Sequence, residues 1–137
     1  MKQKVCLDES ILINKWTRRP FSHRYHQLSE KRKRLPIWES KKHFISEFGR
    51  NQVVILVSPS ESGKNTQIGQ YILEEIKVDE NVKTLTACTQ PRKIAELSRQ
   101  VAEEMDVVLG EEVGYRTWFE DCTSGTTILG YLSDCVL

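Results

Sequence analysis

An α/β fold, a parallel sheet with flanking helices preceded by a basic helical arm, is what this sequence predicts, and three observations predict it. Val53-Val54-Ile55-Leu56-Val57 is a run of aliphatic residues with no alternation, the habit of a strand buried on both faces of a parallel sheet. A short polar loop separates it from Ile68, Tyr71, Ile72, Leu73 and Ile76, which recur at helical spacing. A second pair of the same kind follows, a strand over Thr84–Thr89 and then a helix marked by Ile94, Leu97, Val101, Ala102 and Met105. Alternating strands and helices imply parallel pairing through right-handed crossovers.

Taken in order, the chain begins with a stretch to about residue 20 that has no clean period. Ser22–Arg34 is polar, with Tyr25 and Leu28 at i, i+3 spacing, and reads as a short amphipathic helix. The tetrad Lys31-Arg32-Lys33-Arg34 that closes it is either a nuclear-localisation patch or a solvated helix end whose cations face the helix dipole. Pro36 suits the start of a second helix, marked by Ile37, Lys41, Phe44, Ile45 and Phe48, with Gly49 as its stop. The last element is a strand over Thr126–Leu129 that enters a turn at Ser133-Asp134.

The 137 residues suit a single domain. No apolar run approaches the roughly 20 residues of a membrane span, and Ile11-Leu12-Ile13 is too short for a signal-peptide core, so the expectation is an intracellular protein with no membrane partner. Cys6, Cys88, Cys122 and Cys135 form no C-x-x-C pair and read as reduced thiols. Net charge is +1, yet residues 1–50 carry 13 Lys/Arg against 5 Asp/Glu, and residues 51–137 carry 7 against 14. That asymmetry divides the chain into a basic arm with short helices (1–50) and an acidic folded body (51–137). The arm either contacts nucleic acid electrostatically or is a solvated leader.

Strand, loop, Gly-Lys and helix is a layout that binds phosphate. Loop amides and the helix N-terminus cradle the anion. The lysine reaches its outer oxygens, and an alcohol after the lysine holds Mg²⁺ in the pattern G-x-x-x-x-G-K-[ST]. Of that pattern the segment Ser58-Pro59-Ser60-Glu61-Ser62-Gly63-Lys64-Asn65-Thr66 keeps Gly63 and Lys64. Glu61 puts a carboxylate in a loop meant for anions. Asn65 offers an amide where an alcohol is needed. Thr66 lies about 100° further round the helix and cannot simply replace it.

Gly63-Lys64-Asn65-Thr66-Gln67-Ile68 resembles the opening of the motor in DEAH-box RNA helicases. The likeness continues through Ala87-Cys88-Thr89-Gln90-Pro91-Arg92-Lys93, Leu109-Gly110-Glu111-Glu112-Val113-Gly114-Tyr115, Phe119-Glu120-Asp121 and Thr127-Ile128-Leu129-Gly130-Tyr131. It covers about residues 19–137 and leans to the branch acting in pre-mRNA splicing and spliceosome disassembly. The resemblance implies an incomplete RecA-like P-loop domain. It also implies ATP with Mg²⁺ as cofactor, held by Ser60, Glu61, Ser62, Gly63, Lys64, Asn65 and Thr66, with Asn65 at the metal position. Thr89, Gln90, Pro91, Arg92 and Lys93 match the first RNA-facing motif, and Ser133 and Asp134 the second, so RNA backbone is the implied partner, with spliceosomal proteins beside it in nucleus or cytoplasm. The helix after Lys93 is about two residues shorter than the family pattern, which leaves Arg99 and Gln100 without an assigned adenine contact. The family's acidic Mg²⁺-holding box lies beyond Leu137, so no catalytic residue is assigned. Its strand pairs with the phosphate-loop strand, so Val53–Val57 is expected to expose apolar side chains. The implied function is the N-terminal portion of an ATP-dependent RNA helicase; the alternative is a non-catalytic derivative that binds RNA or a partner.

Overall fold

In the computed structural model residues 12–76 and 84–136 are described; residues 1–11, 77–83 and 137, which include Cys6 and the first part of the predicted arm, lie outside them. Asn14 is 1% exposed. Its Nδ2 donates to the carbonyls of Met105 at 2.9 Å and Asp106 at 3.0 Å, satisfying acceptors that a helix C-terminus leaves free. Helix α1 (His23–Lys33) starts at Ser22, whose hydroxyl accepts from Tyr25 N–H. Ser22 also donates twice to the Asp106 carboxylate, through N–H and Oγ, each at 2.8 Å. The N-terminal stretch is thus tied to the far end of a later helix.

A 3₁₀ turn (Pro36–Ser40) leads into helix α2 (Lys41–Phe48). Gly49 ends α2, but with φ −71° rather than in the left-handed form expected of a glycine stop. Helix α3 (Lys64–Glu75), strand β1 (Thr86–Gln90) and helix α4 (Ile94–Met105) follow. The predicted apolar positions of α4 bury Ile94, Val101, Ala102 and Met105, as an amphipathic stripe should. Strands β2 (Val113–Arg116) and β3 (Asp121–Cys122) form an antiparallel hairpin that the sequence reading did not assign. Strand β4 (Leu129–Ser133) completes a four-stranded sheet in the order β1-β4-β2-β3. β4 is parallel to both of its neighbours. The fold is therefore mixed α/β, with a mostly parallel sheet flanked by helices, as predicted.

Two apolar clusters organise it. The larger joins Leu73 of α3, Ile94, Val101 and Met105 of α4 and Val113, Tyr115, Leu129 and Tyr131 of the sheet. The smaller gathers Ile37, Phe44 and Tyr71, with Val54, Leu56, Ile68 and Ile72 packed against them. Each fully buried aliphatic side chain contributes about 1.5–3 kcal/mol.

The expectation of a doubly buried strand at Val53–Val57 is overturned. The segment belongs to no described strand, and its burial alternates. Val54 and Leu56 face the smaller cluster, while Val53, Ile55 and Val57 are 78%, 86% and 89% exposed. An unalternating apolar run signals burial on both faces only where elements cover both; here one side is covered. The exposed apolar side chains agree with the expectation drawn from the family resemblance.

Strand limits also shift. β1 begins at Thr86 rather than Thr84, and β4 occupies Leu129–Ser133 where the sequence predicted Thr126–Leu129. Thr127 explains the second shift: its hydroxyl donates to Glu111 O at 2.7 Å and accepts from Ser124 N–H at 2.9 Å. A threonine committed to turn bonds leaves the ladder.

Candidate functional site

The loop before α3 is held by its own polar atoms. Ser58 and Ser62 hydroxyls pair at 2.8 Å, and Ile37 N–H donates to Ser62 O at 3.1 Å. Two residues take left-handed conformations, Glu61 at φ 61° and Gly63 at φ 94°. Glycine is required at the second, where a Cβ would lie 2.9 Å from Leu35 Cδ1. Lys64 is the first residue of α3 and folds back, Nζ donating to Ser58 O at 3.0 Å. The first amides of a helix have no acceptor within it, and no side chain caps this helix. Donors and positive potential therefore meet at one point.

Ser60, Glu61, Gly63, Lys64, Asn65 and Thr66 line a concavity of about 460 Å³ together with Lys93, Leu97 and Gln100 of the α4 region. Ser62 is not among its lining; it is 2% exposed and faces inward. The resemblance assigned Lys93 to RNA, and the structure brings it beside the loop that precedes α3, at the N-terminus of α4 with φ 55°.

Residues of the two candidate RNA motifs stand side by side. Parallel pairing sets Thr89 opposite Leu132 and Gln90 opposite Ser133, so both motifs leave the sheet at its C-terminal edge, where open α/β sheets bind ligands. Arg92 and Asp134 are exposed beyond that edge. Arg116, at the end of β2, is level with Leu132 and Thr89.

The donor set suits phosphate and not the implied metal. Asn65 has no alcohol. Thr66 is 7% exposed, and its hydroxyl donates to Gly63 O at 3.2 Å while accepting from Gln67 Nε2 at 2.9 Å. Among the described residues no three His, Cys, Asp or Glu side chains converge into a metal-holding group.

Behind the loop lies a polar network absent from the sequence reading. Arg32 of α1 is 6% exposed. It donates from Nε to Gln67 Oε1 at 2.7 Å and lies 3.9 Å from Glu104. Glu104 of α4 accepts from Gln67, Gln70 and Gln100 at 2.8, 2.7 and 2.9 Å. Arg32 also bonds Glu74 at 3.3 Å, and Lys41 pairs with the same carboxylate. So the tetrad Lys31–Arg34 is neither uniformly solvated nor uniformly available as a targeting patch. Nothing in its sequence separates Arg32 from its neighbours; only the approach of α3 and α4 does.

No protein-family model matches the chain. It is 36% identical over 138 residues to the Homo sapiens protein named pre-mRNA-splicing factor ATP-dependent RNA helicase DHX32, a stretch covering 99% of this chain and 19% of that protein. The chain thus spans about a fifth of the length of the curated relative it matches.

Proposed function

The chain belongs to the DEAH-box RNA helicase family, and on that premise we propose that it carries a phosphate grip at residues 58–66 and an RNA-backbone grip at the C-terminal edge of the β1–β4 pair. Lys64 and the first amides of α3 hold the phosphates, with Ser60, Glu61 and Gly63 shaping the loop around them. Bound ATP would supply the free energy of phosphoryl transfer. The chain's own residues bind and orient its phosphates. Thr89, Gln90, Arg92, Ser133 and Asp134 contact RNA phosphate and sugar, fixing register without reading bases.

One observation carries this reading: Lys93 lines the phosphate-loop concavity and lies three residues after Gln90, which pairs with Ser133. The two grips share one rim. As partners we propose RNA and, beside it, splicing proteins, in nucleus or cytoplasm. Among the described residues no helix is long and apolar enough to cross a membrane.

Between a catalytic motor and a binding derivative, Asn65 and the committed Thr66 hydroxyl favour binding without turnover by these residues. Fluorescence anisotropy with labelled single-stranded RNA, and calorimetry with inorganic triphosphate, test the assignment. Arg92→Ala is expected to weaken RNA binding uniformly across sequences and flatten its salt dependence by about one contact. Lys64→Ala is expected to weaken triphosphate about tenfold, roughly 1.4 kcal/mol, and to leave RNA affinity in place. If neither change moves its own ligand, the reading is lost.

A further inference from the structure

We propose that the loop takes a metal-free polyphosphate, an anion gripped by Lys64 and backbone amides with no divalent cation bridging it to the chain. The inference rests on the phosphate-binding reading above and narrows it to a ligand class.

An Mg²⁺ ion shared between protein and phosphate needs the alcohol that follows the lysine, and at that position stands Asn65. The neighbouring hydroxyl, Thr66, is closed off. A hydroxyl has one hydrogen and two lone pairs. Thr66 commits the hydrogen to Gly63 O and one lone pair to Gln67 Nε2, in a residue only 7% exposed. Mg²⁺ demands near-octahedral ligands at about 2.0–2.1 Å and sheds water reluctantly. The single lone pair left on an oxygen so buried is poorly placed to enter such a shell.

Gln67 keeps Thr66 there. It is fully buried, its Oε1 held by Arg32 at 2.7 Å and its Nε2 shared between Thr66 and Glu104 Oε2 at 2.8 Å. Swinging Thr66 outward strips a buried amide of a partner, which is costly. Arg32, Gln67 and Glu104 come from three different helices, so the lock is tertiary rather than local.

The concavity's charge points the same way. Lys64 and Lys93 both line it, at a helix N-terminus that attracts negative charge. Glu61 opposes them, but its side chain is exposed and free to turn into water. A polyphosphate keeping its full charge gains more from these cations than the same anion partly neutralised by metal. Magnesium should therefore weaken binding, the reverse of its usual effect at such loops.

Calorimetric titration of the full 137-residue chain with inorganic triphosphate, once in EDTA and once in excess Mg²⁺, decides the matter. Binding is expected in EDTA and weaker by about fivefold in Mg²⁺. Asn65→Thr, an exposed position that folding should tolerate, restores the alcohol and is expected to reverse the preference to about tenfold tighter in Mg²⁺. Binding that needs Mg²⁺, or that is tighter in Mg²⁺ than in EDTA for the natural sequence, overturns this inference alone. No binding in either buffer removes the phosphate reading and this inference with it.

Discussion

Gly63 concentrates the local demands of the loop. Its φ of 94° strains any residue with a Cβ, and that Cβ would sit 2.9 Å from a Leu35 methyl, which would have to shift. Gly63→Ala is expected to cost about 1–2 kcal/mol from backbone strain alone, with more from the clash, read as a lowered urea midpoint at unchanged m-value. That glycine and Lys64 were legible in the sequence because the phosphate-binding pattern sets them side by side between strand and helix. Ser62 was not: it resembled a cradle residue, yet its hydroxyl turns to Ser58 and its carbonyl to Ile37 N–H. Which way a serine in a loop faces depends on what lies behind the loop. Gly114 shows the same dependence, since a Cβ there would meet Cys122 O at 2.4 Å, a contact created by the hairpin that β2 and β3 form.

At the scale of elements, α1, α3 and α4 are joined through Arg32, Gln67, Gln70 and Glu104, each at most 6% exposed. Buried ions of this kind stabilise little in sum but are costly to break, because removing one partner strands the other. Arg32→Met keeps the stem and removes the cation that faces Glu104 and Glu74. It is expected to cost about 3–5 kcal/mol, whereas Lys31→Met, at an exposed position of the same tetrad, should change stability by less than about 0.5 kcal/mol. Thermal melts of the two variants compare them directly. Helix α4 was readable because its apolar period is intact. The β2–β3 hairpin was not, since its four- and two-residue strands carry no run long enough to show a period.

For the whole molecule, the exposed row Val53, Ile55 and Val57 sits on a segment outside the described sheet. Such a row of exposed apolar side chains invites association between copies. Ile55→Lys is expected to shift size-exclusion profiles towards monomer and to leave the melting temperature nearly unchanged, because that side chain is 86% exposed; a monodisperse natural chain with no response to the change would argue against it. The tyrosines set the alkaline limit. Burial pushes the Tyr71 phenol from its ordinary 10.0 up to about 12 and raises Tyr131 further. A phenol whose folded pKa is raised favours the native state while protonated, so its contribution is whole below pH 10 and declines as pH rises from there through about 12. Urea midpoints at pH 9 and pH 11 should fall accordingly, with tyrosinate absorbance appearing late.

Sequence alone determined the α/β class, the glycine-lysine turn into α3, the amphipathic α4 and the order of the motifs, because each is written in spacing along a few consecutive residues. Tertiary structure decided that Val53–Val57 is covered on one side, that Arg32 is buried while its basic neighbours are not, that Thr66 turns its hydroxyl inward, and that Lys93 lies beside the loop before α3. Those outcomes depend on which surfaces distant segments bring against one another. A local pattern cannot encode whether a neighbour is there.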